Sequence, residues 1–241
     1  MNHFLKTKEL FLDILFPKFC VNCQREGNYI CQDCFALIDI SDRQYCPFCI
    51  SNEKYAASDN FKTCYFCKKT KNLDGLFCAA SYQNPIIRKL ISEFKYEPFV
   101  RDYSKILSQI IILHLALSHK IDFLKDFLIT PVPLFFKKTK QRGFNQSEEI
   151  AKYLSWFLKI PVLKNTLVRV RNTFPQASLS KEKRGENIKK AFSCLTPEAV
   201  ENKKILLVDD VFTTGSTIEE CAFVLKNSRA KEVWGIVVAK G

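Results

Sequence analysis

The 241-residue sequence has no uninterrupted apolar run long enough to cross a bilayer. Its most apolar internal stretch, residues 106–117, carries Ser108, Gln109 and His114 and is too short. Residues 1–16 do not read as a secretory signal either. Residues 1–16 place Phe4, Leu5, Phe11, Leu12 and Leu15 at near-helical spacing, but Lys6, Lys8, Glu9 and Asp13 interrupt them and no small-residue cleavage site follows. These absences argue against export and membrane insertion, and predict a short amphipathic helix packed on a soluble, cytoplasmic protein. There is no low-complexity tract and no repeat of solenoid length. What is present is a globular composition, 47% hydrophobic and 26% charged, in a chain long enough for one α/β domain and a small accessory module.

The charge balance is basic, formally +12, with a pI of about 9.2. That favours a polyanion or an anionic small molecule as partner. Two metal sites made of thiolates would add eight negative and four positive charges and lower the balance to about +8, still basic.

Histidine is absent from residues 20–67, where cysteine is abundant. Cys20 and Cys23, Cys31 and Cys34, Cys46 and Cys49, and Cys64 and Cys67 form four Cys-x-x-Cys pairs within 48 residues. Two intervening residues let both sulfurs turn toward one centre, and two such knuckles supply the four thiolates of a tetrahedral zinc site. A disulfide framework would need an oxidising compartment. The simplest pairing is sequential, Cys20, Cys23, Cys31 and Cys34 around one Zn²⁺ and Cys46, Cys49, Cys64 and Cys67 around a second, although the spacing also allows an interleaved pairing. With all-sulfur ligands and no open position, both sites would be structural. Gly27 with Asn28 gives the first a tight turn. Cys78, Cys194 and Cys221 have no partner at ligand spacing and read as small buried residues.

Downstream, Asn84-Pro85 offers a helix cap and a first-turn proline ahead of Ile86, Ile87, Leu90, Ile91 and Phe94 on one face. Further helices are predicted over 103–118 and 147–158. Strands are predicted over 127–130, 162–168, 204–208 and 232–239 and near 191–194, with a basic loop at 137–143. This β/α alternation points to a mostly parallel sheet.

The segment 204–217 carries the most chemistry. Ile205, Leu206, Leu207 and Val208 are continuously apolar, as in a central strand buried on both faces. Ligands of open α/β sheets bind at the carboxyl ends of such strands. There Asp209 and Asp210 can accept hydrogen bonds from a vicinal diol, with both side chains expected to face a crevice rather than the core. Thr213, Thr214, Gly215, Ser216 and Thr217 would offer hydroxyls and backbone N–H groups to a phosphate at a helix start. No Gly-Lys pair follows Gly215, which argues against a nucleoside-triphosphatase loop.

The string Val208-Asp209-Asp210-Val211-Phe212-Thr213-Thr214-Gly215-Ser216-Thr217 resembles the signature of type I phosphoribosyltransferases, which bind phosphoribosyl pyrophosphate. The resemblance assigns the ribose to Asp209 and Asp210 and the 5-phosphate to Thr213, Thr214, Gly215, Ser216 and Thr217, with Val211 and Phe212 among the substrate-binding residues. More broadly the chain resembles the ComF (ComFC) family of competence-associated, phosphoribosyltransferase-like proteins. The marks are Phe16-Pro17 before the double cysteine module, Phe94-Lys95-Tyr96, Pro131-Val132-Pro133-Leu134, Arg142-Gly143-Phe144-Asn145-Gln146, and Arg169 and Arg171 ahead of Thr173, Gln176, Arg184 and Asn187.

The resemblance implies a type I phosphoribosyltransferase-like, mostly parallel sheet with helices on both faces (79–241), preceded by a helix and double zinc-ribbon module (1–78). It implies a role in DNA uptake during natural transformation, with single-stranded DNA and proteins of the uptake machinery as partners. Pro131, Val132 and Pro133 would form the turn that receives pyrophosphate, Arg142 and the preceding lysines would neutralise it, and Mg²⁺ would accompany phosphoribosyl pyrophosphate. Residues 82–98, with the zinc module, take the place of the base-recognising hood, and Arg169, Arg171 and Thr173 to Arg184, with the single Pro175, that of a mobile catalytic flap. Two readings follow: a binding protein whose aromatics Phe48, Tyr65, Phe66, Phe135 and Phe136 stack on bases, or an active transferase, with Arg142, Asp209 and Asp210 at the reacting centre, acting on an unidentified acceptor.

Overall fold

The computed structural model describes residues 17–42, 45–49, 61–96, 100–172 and 188–241. The helix expected within 1–16 and the flap residues Thr173, Pro175, Gln176, Arg184 and Asn187 lie outside them, as does Pro98. In chain order the elements are helices α1 (Gln32–Ala36) and α2 (Tyr65–Lys68), strand β1 (Gly75–Ser81), helices α3 (Pro85–Lys95) and α4 (Tyr103–Leu117), and strand β2 (Phe127–Pro131). They continue with α5 (Phe136–Arg142), α6 (Gln146–Leu158), β3 (Leu167–Arg169), β4 (Phe192–Cys194), α7 (Pro197–Val200), β5 (Lys204–Phe212), α8 (Ser216–Asn227) and β6 (Glu232–Lys240).

Four strands form one parallel sheet in the order β1-β6-β5-β2. The apolar runs explain its two coated faces, because alternate residues of a strand point to opposite sides. Leu206, Val208, Phe77 and Ile236 meet α3, α4 and α6, whereas Ile205, Leu207, Leu76 and Val237 meet α8 and the β3–β4 hairpin. Helix α3 forms as its sequence dictates. Asn84 Oδ1 accepts from the Ile86 and Ile87 N–H groups, and Ile86, Ile87, Leu90, Ile91 and Phe94 are all buried. Each such side chain contributes about 1.5–3 kcal/mol relative to an exposed one. No helix among the described residues is long and apolar enough to cross a membrane.

Several details depart from the sequence expectation. The predicted basic loop is helix α5: its lysines, glutamine and arginine are good helix formers, and Gly143, at φ 75°, closes the last turn by donating to Thr139 O at 2.8 Å. Of the predicted 162–168 strand only Leu167 and Val168 pair as one, continued by Arg169. Val162 makes a single parallel bridge to Ile129, and Asn165 at φ 55° then breaks the run. Strands β3 and β4 form a separate antiparallel pair outside the parallel sheet. Cys194 is half-buried rather than buried, unlike Cys78 and Cys221. Strand β1 was not anticipated, and the boundary expected after residue 78 falls inside it; Gly75 to Cys78 pair in register with Trp234 to Val237 and belong to the sheet.

Candidate functional site

Strand β5 runs on through the acidic pair to Phe212, so Asp209 and Asp210 stand on the rigid sheet and not in the loop after it. Asp209 Oδ1 accepts from Ser147 Oγ at 3.0 Å and from the Asp210 N–H at 2.9 Å. Asp210 Oδ1 pairs with Lys95 Nζ at 2.8 Å. Lys95 reaches the acid because Phe94, immediately before it, is locked into the core at the end of α3. Burial pushes the Asp209 carboxyl up to about 7, reinforced by the charge of Asp210 and opposed by Lys95, the Asp210 N–H and the Ser147 hydroxyl. Burial works against the Lys95 ammonium too, but the Asp210 charge and then that of Asp209 outweigh it and raise its pKa.

These groups floor a cleft of about 430 Å³ that also takes in Tyr82, Ser92, Tyr96, Val132, Pro133, Lys138, Arg142, Arg169, Thr213 and Thr217. At one end lies a hollow of about 40 Å³ bordered by Asp209, Val211, Phe212, Thr213, Gly215, Ser216, Thr217 and Ile218, the size of a small anion. Helix α8 begins there, with Gly215 in the left-handed region at φ 76°. A Cβ on Gly215 would lie 2.3 Å from Phe212 Cζ, so glycine is required twice over. The Thr214 and Ser216 hydroxyls share a 2.8 Å hydrogen bond.

Three further cations, Lys138, Arg142 and Arg169, line the same cleft. Arg142 Nη1 donates to Gln146 Oε1 at 3.0 Å and its guanidinium lies 5.7 Å over the Tyr96 ring. The Lys138 pKa is lowered by burial and by the charges of Arg169 and Arg142, as befits cations crowded around a place for an anion. The motif around Arg142 is explained residue by residue. Phe144 packs on Phe94 at 5.5 Å, Asn145 caps α6 and donates to Val132 O, and Gln146 Nε2 donates to Phe94 O.

The cleft thus brings together Asp209, Asp210, Val211, Thr213, Thr217, Val132, Pro133 and Arg142 from the sequence-predicted set. It does not bring in Pro131, which borders a neighbouring groove; Gly215, Ser216 and Phe212, whose side chain is buried, border the hollow, and Thr214 borders neither cleft nor hollow. Lys138, one of the lysines expected to neutralise pyrophosphate, lines the cleft, whereas Lys95 and Ser147 have no expected role. For Lys95 the available signal was a lysine directly following the last apolar position of an amphipathic helix.

The eight cysteines gather sequentially, as Cys20, Cys23, Cys31 and Cys34 and as Cys46, Cys49, Cys64 and Cys67, with the sulfurs of each set within 4.8 Å of one another. Cys23 and Cys31 sulfurs lie 3.6 Å apart and those of Cys49 and Cys64 3.5 Å. A tetrahedral zinc with bonds of about 2.3 Å spaces its sulfurs about 3.8 Å apart, so both sets fit the ion. Backbone N–H groups of Cys31 and Cys34 point at Cys20 and Cys31 sulfurs at 3.5 Å, and offset thiolate charge. The second set is bolted to the sheet. Asp74 receives Lys68 Nζ at 2.6 Å, Lys226 Nζ at 2.7 Å and the Val233 N–H at 2.8 Å, and Glu219 receives the Asn72 N–H.

Comparison with known proteins agrees with this arrangement. Residues 140–241 match the phosphoribosyl transferase domain family. Competence protein F of Haemophilus influenzae is 32% identical over 230 residues, 91% of this chain and 96% of that one. DNA utilization protein YhgH of Escherichia coli K12 is 31% identical over 198 residues, 80% of this chain and 84% of that one. Competence protein ComFC of Streptococcus pneumoniae is 26% identical over 212 residues, 87% of each chain. With similarity running through the cysteine module, the acidic strand end and the loop beyond it, the chain belongs to the competence protein F (ComFC) family.

Proposed function

We propose that the cleft binds phosphoribosyl pyrophosphate and that the protein handles single-stranded DNA in the cytoplasm during DNA uptake, alongside proteins of the uptake machinery. The observation that carries the first part is the set of groups that share the cleft: an anion-sized hollow bordered by Thr213, Gly215, Ser216 and Thr217, the acids Asp209 and Asp210, and the cations Lys138, Arg142 and Arg169. That set suits a 5-phosphate, a ribose diol and a pyrophosphate. Among the described residues, three or more metal-binding side chains gather only in the two cysteine sets. Mg²⁺ would therefore be held mainly by the pyrophosphate oxygens and waters, as suits an ion that keeps its hydration.

DNA binding is supported by a groove of about 1230 Å³ beside the cleft, lined by Lys140, Lys164, Arg169, the exposed Phe136 and Lys152, which pairs with Glu148 and Glu149, and by exposed Tyr65 and Phe66 on the last knuckle of the second cysteine set. Cations along a groove with accessible rings suit phosphate contact and base stacking. Calorimetric titration with phosphoribosyl pyrophosphate and Mg²⁺, repeated with single-stranded DNA present, tests both parts. Saturable binding of the first, and DNA binding that weakens steeply with salt through counterion release, are expected. Heatless titrations, or DNA binding indifferent to salt, would refute the respective part.

A second reading, phosphoribosyl transfer, is favoured by the three crowded cations. They would stabilise pyrophosphate as it leaves the ribose C1 with its bonding electrons while an acceptor bonds to C1. Release of pyrophosphate on adding candidate acceptors distinguishes transfer from binding alone.

A further inference from the structure

The second cysteine set lies close to the phosphate-binding loop, and the Phe48 side chain reaches from one to the other. Phe48 sits inside the Cys46 to Cys49 knuckle, its ring edge-on to Phe212 with centroids 5.8 Å apart and planes at 61°. Phe212 is 2% exposed, and its ring occupies the space directly beneath Gly215, the left-handed residue from which α8 starts. The C-terminal strand clamps the same joint. Lys240 Nζ donates to Pro47 O at 3.1 Å and lies 5.9 Å from the Phe212 ring centroid, while Phe212 O accepts from the Gly241 N–H at 3.0 Å. Lys71 covers the Phe48 ring at 5.1 Å. Among the described residues the first cysteine set has no such route. Cys20 and Cys34 pack with the cluster that holds Phe94 and Tyr103, on the opposite face of the sheet from Phe212.

We infer that Phe48 is the positioning residue of the phosphate-binding loop, so that closure of the second four-cysteine site around its metal and anion binding at residues 213–217 are coupled. The inference rests on reading that loop as a phosphate seat. Packed interiors pass on displacements because they contain few voids. A knuckle opened by metal loss withdraws Phe48, frees the Phe212 ring to turn, and removes the support that fixes the Gly215 backbone. Coupling between two binding events is reciprocal: whatever metal closure does for the anion, the anion does for metal retention.

The test uses ribose 5-phosphate and the full chain. Phe48→Ala, with two zinc ions per chain retained, is expected to bind ribose 5-phosphate about tenfold more weakly, the upper range for one aromatic pair. The reciprocal measurement needs no variant. With a chelator and an alkylating agent present, ribose 5-phosphate is expected to slow modification of Cys46, Cys49, Cys64 and Cys67 by about fivefold and to leave Cys20, Cys23, Cys31 and Cys34 unchanged, each residue being read by peptide mass. That measurement decides the matter if Phe48→Ala fails to fold. Equal protection of both sets, or of neither, with calorimetry showing ribose 5-phosphate bound, overturns the coupling. An unmutated protein that binds no ribose 5-phosphate overturns the phosphate-seat reading, and the coupling with it.

Discussion

Lys95 Nζ lies 2.8 Å from Asp210 Oδ1, and the two side chains are 25% and 9% exposed, so the cleft supplies a cation of its own to one of its two acids. Asp210 is therefore a structural partner as well as a candidate diol acceptor. The expectation that both acids face only a crevice holds less well for it, because it is buried.

Asp210→Asn should leave a largely buried ammonium unpaired and destabilise the fold by about 1–3 kcal/mol, less than for a fully buried pair because Lys95 retains some solvent. Thermal melts should show the loss, and Lys95→Met added to it should restore much of the stability. If Asp210→Asn melts with the parent, the pair contributes nothing to folding.

Asp209→Asn should change the pH dependence of stability. The native Asp209 pKa of about 7 stands above the ordinary value of 3.8, so the native state binds the extra proton between the two. Its contribution is fully present below about pH 4 and is lost as pH rises through about 7. Urea unfolding of the parent should therefore lose stability between those values relative to Asp209→Asn. Parallel profiles would show that Asp209 ionises normally.

Replacing both aspartates by asparagine should lower affinity for phosphoribosyl pyrophosphate by at least about tenfold, since charge-assisted hydrogen bonds are each worth roughly 1.5–3 kcal/mol. Gly215→Val acts elsewhere. It forces a β-branched residue into φ 76° and drives a Cβ into the Phe212 ring, so it should weaken ribose 5-phosphate as much as the full ligand. Competition titrations with the two ligands separate the effects; Gly215→Val that spares ribose 5-phosphate would move the phosphate to another place.

The purified protein should carry about two zinc ions per chain, and Cys64→Ser should unfold the second knuckle and release one of them. Metal analysis of parent and variant reads this directly. A variant that retains both ions would show that Cys64 is not a ligand.

The local grammar of the sequence was sufficient for α3, α4, α6, β2, β5 and β6, where a cap or an unbroken apolar run leaves little choice. It was also sufficient for the cysteine ligands, whose spacing is their geometry. It failed at β1, because the Phe77, Cys78 and Ala79 run is short and follows a cysteine module that draws attention away from a strand. It failed at α5, where a cluster of lysines reads as solvated loop though each is a sound helix former. Lys95 and Ser147 were out of reach because their roles arise from tertiary contact with β5, more than 60 positions downstream in the case of Ser147.

Strand β1 lies at the margin of the parallel sheet, and its outer main-chain groups are partly engaged by the cysteine-bearing segments: Ser41 donates to Ala79 O at 2.9 Å, and Lys62 bridges Gly75. An open margin of this kind is a template onto which another chain can add a strand. Stripping metal from either knuckle would loosen the segments that occupy it. The cysteine module then acts as a guard against self-association, and the metal-free protein should form oligomers whose light scattering grows with concentration and reverses when zinc is restored before aggregates mature.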